Sequence, residues 1–249
     1  MICGILKSKE WMNLLLMAFE TSAKAASVAL FCENGLLASQ YQNNGVTHSQ
    51  TLLVMASQIL ENCGLAPRDV THLAVANGPG SFTGVRIGAA AAKGFAWGGE
   101  RPLYGVSTLE AMALGAGIRD GVICCCMDAR RAQVYNALFE AKDGQLTRIS
   151  EDRAIALQDL LPELQMLQKT VFLVGDGANL CYNTLSTQVP NLILLPEHHR
   201  QQRAEGVGLA ALARIAAGEP GCAGSLTPNY LRLSQAERER LEKERNQTK

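Results

Sequence analysis

The chain repeats one pattern of apolar runs and turns, and the two copies lie far apart in the sequence. In the first copy, residues 13–19 form an apolar run that ends at Glu20. In the second copy, residues 122–127 form a similar run that ends at Asp128, 108 positions later. Apolar runs of this length, bounded by polar residues, are typical of buried strands. The repeat predicts two halves that share one order of strands and helices.

The remaining segments of the two copies also correspond. The first copy continues with predicted strands at 26–32 and 36–41, a helix at 49–62 and a strand at 73–76. The second continues with strands at 133–139 and 145–150, a helix at 157–167 and a strand at 171–174. Asn34-Gly35 and Asp143-Gly144 are hairpin signals at matching places. This order predicts an α/β protein of the actin-like, Hsp70-like ATPase (ASKHA) fold, with two ribonuclease-H-like domains.

The repeat also sets the predicted domain limits. Residues 1–11 are interpreted as an N-terminal extension, 12–118 as the first ribonuclease-H-like domain, 119–232 as the second, and 233–249 as a charged tail. The last part of the second domain, 219–232, is expected to pack back near the junction.

A glycine-rich loop follows the fourth predicted strand and precedes a predicted helix at 85–97. Neither phosphate-loop template fits it, because no lysine follows Gly84 and Thr83 stands where the dinucleotide fingerprint needs glycine or alanine. Spacing alone therefore favours a structural turn. The alternative is a partner contact or a nucleotide site at the junction, made by Gly78, Pro79, Gly80, Ser81, Phe82, Thr83, Gly84, Val85 and Arg86.

Composition narrows the function classes. Lys+Arg and Asp+Glu both number 23, so nothing in the overall charge favours tight binding to RNA by this chain alone. The eight cysteines form no Cys-x-x-Cys pair, which indicates a reducing compartment rather than a zinc or redox motif. No signal peptide and no apolar run long enough for a membrane span is evident. The expected location is the cytoplasm.

Candidate catalytic groups are sparse. Glu20 and Asp128 each follow the first strand of a copy, where nucleotide-hydrolysing members of the superfamily hold a metal ion or water. Two interpretations are a Mg²⁺ site and carboxylates that cap the following turn, and the second is favoured. No two histidines have the i, i+4 spacing of a helical metal pair. Ser81 is not in a Gly-x-Ser-x-Gly elbow. We therefore expect no catalytic residue and no metal.

The predicted helices at 49–62 and 85–97 carry small and apolar residues that suit a protein contact. An alanine run at 89–92 has little bulk for a core, so this helix pair is interpreted as an interface rather than as wholly buried. The predicted interface residues are Leu53, Ile87, Ala91, Lys93 and Phe95.

The loop and several shorter strings resemble the signature of the bacterial TsaB (YeaZ) family. The loop match spans residues 78–88 without gaps. Shorter strings that also resemble the family are Glu20-Thr21-Ser22, His48-Ser49-Gln50, Gly105-Val106-Ser107-Thr108-Leu109, Asp128-Ala129-Arg130 and Pro228-Asn229-Tyr230-Leu231-Arg232.

The resemblance implies an accessory, non-enzymatic role in making N6-threonylcarbamoyladenosine (t6A37) on tRNA. It implies binding and activation of the catalytic subunit TsaD together with the ATPase TsaE, a homodimer when the chain is alone, and contact with tRNA through the complex. It implies no cofactor of its own, with ATP or ADP possible at the contact with TsaD. The alternative is an active ATPase or small-molecule kinase of the actin-like superfamily.

Overall fold

The structure is a computed structural model that describes residues 14–118, 120–222 and 225–232. The predicted extension at 1–11 and the tail at 233–249 lie outside these residues. Within the described part, the chain forms two mixed sheets and seven α-helices.

The first sheet contains the four strands predicted for the first copy of the repeat and a fifth strand, Leu103–Val106, that was not predicted. Its strands are β1 (Leu15–Glu20), β2 (Ala26–Cys32), β3 (Gly35–Gln42), β4 (His72–Ala76) and β5 (Leu103–Val106). They lie in the order β3-β2-β1-β4-β5. The β1–β2 and β2–β3 pairs are antiparallel, whereas β1–β4 and β4–β5 are parallel.

The second sheet repeats this arrangement. Its strands are β6 (Gly121–Asp128), β7 (Gln133–Lys142), β8 (Gln145–Arg148), β9 (Arg153–Ala156), β10 (Val171–Val174) and β11 (Leu192–Leu194). The order β11-β10-β6-β7-β8 mirrors the first sheet, with the same parallel and antiparallel pairs. Strand β9, which pairs with β7, and strand β11, which pairs with β10, were not predicted. The twofold use of one topology confirms the actin-like fold with an internal repeat.

Helices cover both faces of each sheet. The helices are α1 (His48–Asn62), α2 (Phe82–Trp97), α3 (Thr108–Gly115), α4 (Leu157–Gln165), α5 (Ala178–Leu185), α6 (Glu197–Arg200) and α7 (Ala204–Ala216). One face of the first sheet packs on α1 and α2, and its other face packs on α7. The second sheet packs on α4 and α5 on one face and on α3 on the other. Helices α3 and α7 contact each other, so they join the two halves.

The end of the described chain returns to the first sheet. The Tyr104 hydroxyl donates to the carbonyl of Glu219 at 3.1 Å, and the Cys222 amide donates to the carbonyl of Leu103 at 2.7 Å. Leu226 is buried in the core beneath α1 and α2. Residues that the sequence analysis assigned to the second half therefore complete the first.

Two local predictions need correction. Helix α2 begins at Phe82 rather than at residue 85, because Ser81 is its N-cap and accepts a hydrogen bond from the Gly84 amide. Thr47 occupies the N-cap position of α1, but neither it nor Ser49 makes a side-chain cap bond there. In the described residues, no helix has both the length and the apolar character that crossing a membrane requires.

Candidate functional site

The glycine-rich loop after β4 packs tightly on the turn between β1 and β2. The Ser81 amide donates to the carbonyl of Ser22 at 2.7 Å, and the Thr21 hydroxyl donates to the carbonyl of Gly84 at 2.8 Å. A Cβ atom at Gly80 would lie 2.5 Å from the Ser22 oxygen, and one at Gly84 would collide with the Thr21 oxygen. Glycine is therefore required here for close backbone approach within the protein.

The start of the loop contacts the end of the described chain. The Asn229 amide donates to the carbonyl of Asn77 at 2.6 Å, and the Thr108 amide donates to the carbonyl of Gly78 at 2.9 Å. Gly78 has φ of 108°, and a Cβ there would lie 2.6 Å from the Asn229 oxygen. The loop thus links β4, α3 and the C-terminal residues.

Glu20 ends β1 and is buried at 1% exposure. Its Oε1 accepts a hydrogen bond from the Ser22 amide at 2.5 Å, whereas no described residue offers a partner to the buried Oε2. Burial raises the pKa of Glu20 to about 7, the hydrogen bonds from Ser22 and Thr21 oppose this rise, and the charge of Asp176 adds to it. The carboxyl is therefore a turn cap held away from solvent.

The equivalent carboxylate in the second half makes the same contact. Asp128 Oδ1 accepts a hydrogen bond from the Arg130 amide at 2.7 Å, two residues on, as Glu20 does with Ser22. Turn capping, the favoured interpretation of this pair, is confirmed. Asp128 differs from Glu20 in being exposed.

A third carboxylate belongs to the turn that follows β10. Asp176 Oδ1 accepts a hydrogen bond from Gln202 Nε2 at 2.8 Å. Asp176 is open to the cleft, although the surrounding protein raises its pKa, chiefly by desolvating the carboxylate. Within the described ranges, no group of three or more histidine, cysteine or acidic residues is placed to hold a metal ion.

These turns and the loop form a cleft of about 670 Å³ between the two halves. The first half contributes the β1–β2 turn and the loop, and the second half contributes the β6–β7 turn and Asp176. The described lining residues mix Lys24, Arg130 and Arg232 with Asp128 and Asp176 and include no histidine or cysteine. The walls offer both signs of charge to a ligand.

The predicted interface residues are divided between surface and core. Leu53 is 49% exposed on the outer face of α1, whereas Ile87, Ala91 and Phe95 are half-buried and pack on the core of the first half. Lys93 is also half-buried.

The outer face of this helix pair includes residues that the predicted set lacked. Val54 on α1 is 63% exposed, Trp97 on α2 is 90% exposed, and Ala90 and Gly94 on α2 are also exposed. The i, i+4, i+7 spacing of Ala90, Gly94 and Trp97 in the sequence could have identified this stripe. We call Leu53, Val54, Ala90, Gly94 and Trp97 the outer helix face.

Comparison with known proteins places the chain in a family. A model of the family described as TsaD, tRNA N6-adenosine threonylcarbamoyltransferase, matches residues 42–240. The fold and this match define an actin-like protein of the TsaD type.

Individual relatives narrow the assignment. The chain is 32% identical to the tRNA threonylcarbamoyladenosine biosynthesis protein TsaB of Bacillus subtilis over 234 residues, which cover 92% of this chain and 99% of the relative. It is 36% identical to TsaB of Escherichia coli over 165 residues, covering 65% and 71% respectively. The solved structure of YeaZ from Pseudomonas aeruginosa has a TM-score of 0.70 at 27% identity and covers 88% of this chain and all of that one. The chain belongs to the TsaB family.

Proposed function

We propose that this chain is a non-catalytic subunit in the formation of t6A on tRNA, and that it binds and activates TsaD together with the ATPase TsaE. Its TsaB relatives are named for biosynthesis of this modification. The structural observation that carries the subunit role is the outer helix face, where a tryptophan of α2 is 90% exposed and two aliphatic side chains of the neighbouring helix α1 are also exposed.

The outer helix face suits a helix from another protein. Ala90 and Gly94 have little or no side chain, so a partner backbone can approach α2 closely along this line. Trp97 on α2 and Val54 on α1 offer exposed apolar anchors. A buried aromatic anchor surrounded by smaller contacts is the usual composition of an energetically important interface core.

The non-catalytic part of the proposal is supported by how the acidic residues are used. Glu20 and Asp128 each accept a hydrogen bond from a turn amide with one carboxylate oxygen. The carboxyl of Glu20 is also buried away from the cleft. The cleft would have to open before Glu20 could contact a ligand. Nucleotide, if it binds, is proposed to do so at the contact with TsaD, and tRNA is proposed to be reached through the complex.

The test is co-purification of the full chain with TsaD. Ala90→Arg places a long charged side chain in the middle of the outer helix face and should reduce recovered complex by at least about tenfold. Ala91 is a poorer choice than the sequence suggested, because it is half-buried and its replacement would disturb packing on the core.

Asn183→Arg, which adds the same charge on the exposed side of α5, is the matched control. Equal recovery of TsaD with both variants would remove the helix-face contact from the proposal. In the absence of TsaD, the same face is proposed to pair two copies of this chain. Sedimentation of the wild-type chain and of Ala90→Arg measures that pairing.

The cleft favours a second candidate, an active ATPase or small-molecule kinase. Its volume of about 670 Å³ is large enough for a nucleotide-sized ligand. Steady Mg²⁺-dependent turnover of ATP by the purified chain alone would support this candidate and contradict the non-catalytic role.

A further inference from the structure

Residues 225–232, here called the terminal strap, are firmly attached to the first half. Leu226 is 3% exposed in the core, and Gly105 beneath it leaves no space for a Cβ. The Asn229 amide bonds to the carbonyl of Asn77 at the start of the glycine-rich loop. This part of the strap is buried or bonded to main chain and behaves as part of the first half.

An aromatic stack adds a second attachment nearer the cleft. The rings of Phe82 and Tyr230 lie with centroids 4.8 Å apart, and Arg86 Nε donates to the Tyr230 hydroxyl at 2.8 Å. The Arg86 guanidinium also lies 3.8 Å above the Phe82 ring. The stack is at the surface, with Arg86 and Tyr230 exposed, and it directs the strap across the mouth of the cleft.

The strap then reaches the second half. Arg232 Nη1 donates to the carbonyl of Ala129, in the turn between β6 and β7, at 2.5 Å. Arg232 is half-buried, and its partner is a main-chain oxygen on the opposite wall of the cleft. A charged donor strengthens such a bond, but water can replace it once the side chain swings out.

The contact between α3 and α7 is suited to act as a hinge. These helices join the two halves, and Gly206 packs directly on the carbonyl of Ala111. Among the described residues, Ala23 of the β1–β2 turn packs on the core of the second half, and Arg232 bonds to Ala129 across the cleft. The Arg232 bond can be released by rotation of one side chain, while the contact between α3 and α7 stays packed.

We propose that the terminal strap is a latch that holds the cleft between the two halves closed, and that release of Arg232 from Ala129 opens it. The strap stays attached to the first half when the latch opens, because Leu226 and Asn229 hold it there. Opening would admit water to Glu20 Oε2 and Ser22 Oγ, which are buried without partners among the described residues. The latch would thereby govern access to the cleft, independently of the contact with TsaD.

Hydrogen exchange of the full-length protein, followed by mass spectrometry, tests the latch. Arg232→Gln and Arg232→Ala both remove the bond to Ala129 at a half-exposed site. We expect amides of the β1–β2 turn and the glycine-rich loop to exchange roughly tenfold faster in both variants. Amides of β8 and β11, whose residues do not line the cleft, should exchange as in the wild type.

Arg130→Gln is the matched control, since it removes an equal charge from an exposed site in the same cleft. The latch is refuted if both Arg232 variants exchange like Arg130→Gln at the cleft. It is also refuted if exchange rises equally throughout both halves, because that would show a contribution to global stability rather than to opening.

Discussion

Replacing Glu20 by glutamine should change how stability depends on pH. Glu20 is fully buried, and burial raises its pKa from the ordinary 4.5 to about 7. Between these two values the folded protein holds a proton at Glu20 that the unfolded chain has lost, so the wild type loses stability as pH rises through this window. Glutamine keeps the shape and the acceptor for the Ser22 amide but does not titrate.

The size of the effect follows from the pKa values. A tenfold change in proton affinity corresponds to about 1.4 kcal/mol, so the whole shift is worth about 3 kcal/mol at pH values above both pKa values. Most of this, about 2–3 kcal/mol, should appear between about pH 5 and about pH 8. The glutamine amide group that replaces Oε2 is left without a buried partner, which costs about 1–3 kcal/mol at every pH.

The measurement is urea unfolding of the wild type and of Glu20→Gln over this pH range. The difference in unfolding free energy between the two proteins is the quantity of interest, because titration of groups that do not interact with Glu20 cancels in it. We expect the unfolding free energy of the variant to increase relative to that of the wild type as pH rises. A difference that is constant with pH, or that moves the other way, would show that Glu20 is not a desolvated carboxyl in the folded protein.

Three further substitutions test packing and capping by urea unfolding. Gly206→Ala should destabilise by at least about 1–3 kcal/mol, because its Cβ would collide with the carbonyl of Ala111; a neutral result would mean that α3 and α7 are not this close. Gly94→Ala, where a Cβ would meet no atom within 4 Å, should stabilise α2 by about 0.5–1 kcal/mol, and a loss would contradict its open position. Ser81→Ala should cost about 1 kcal/mol through the lost cap on the Gly84 amide, and an unchanged midpoint would show that the cap contributes nothing.

The strands common to the two copies of the repeat could be predicted because their signals are local. The run before Glu20 predicted a strand at 13–19, and the structure has Leu15–Glu20. The Asn34-Gly35 turn fixed the β2–β3 hairpin in the same way. Repetition then strengthened each assignment, since a pattern present twice is less easily produced by chance.

Other elements depend on contacts that the sequence does not display. Strand β9 is short and half-buried, and Arg153 in it is held by Glu163 on α4. Helix α7 contains Gly206 and Gly208, which weaken its helical pattern. Both glycines are needed by neighbours distant in sequence, since Gly206 packs on Ala111 and a Cβ at Gly208 would collide with the ring of Phe31.

The site was only partly predictable for the same reason. Turn capping by Glu20 could be predicted, because its partner is two residues away. The burial of its second oxygen is a property of the folded structure that no local pattern in the sequence displays. His48, which opens α1, has its Nε2 2.9 Å from the carbonyl of Ala23 in the β1–β2 turn, a contact across 25 positions that the sequence does not display.

The hydrogen bonds of the glycine turns lead to a prediction about nucleotide binding. The Ser81 amide donates to the carbonyl of Ser22, and the Gly84 amide donates to the Ser81 hydroxyl. In the second half, the amide of Gly177 donates to the carbonyl of Cys126 at 3.0 Å. Free loop amides are what cradle phosphate groups, and these three already have protein partners. We therefore expect ATP with Mg²⁺ to leave the thermal midpoint of the isolated chain unchanged. Nucleotide at a thousandfold excess over its dissociation constant would stabilise the folded state by about 4 kcal/mol, so a clear upward shift at millimolar ATP would mean that these amides can be released and that the cleft is a nucleotide site.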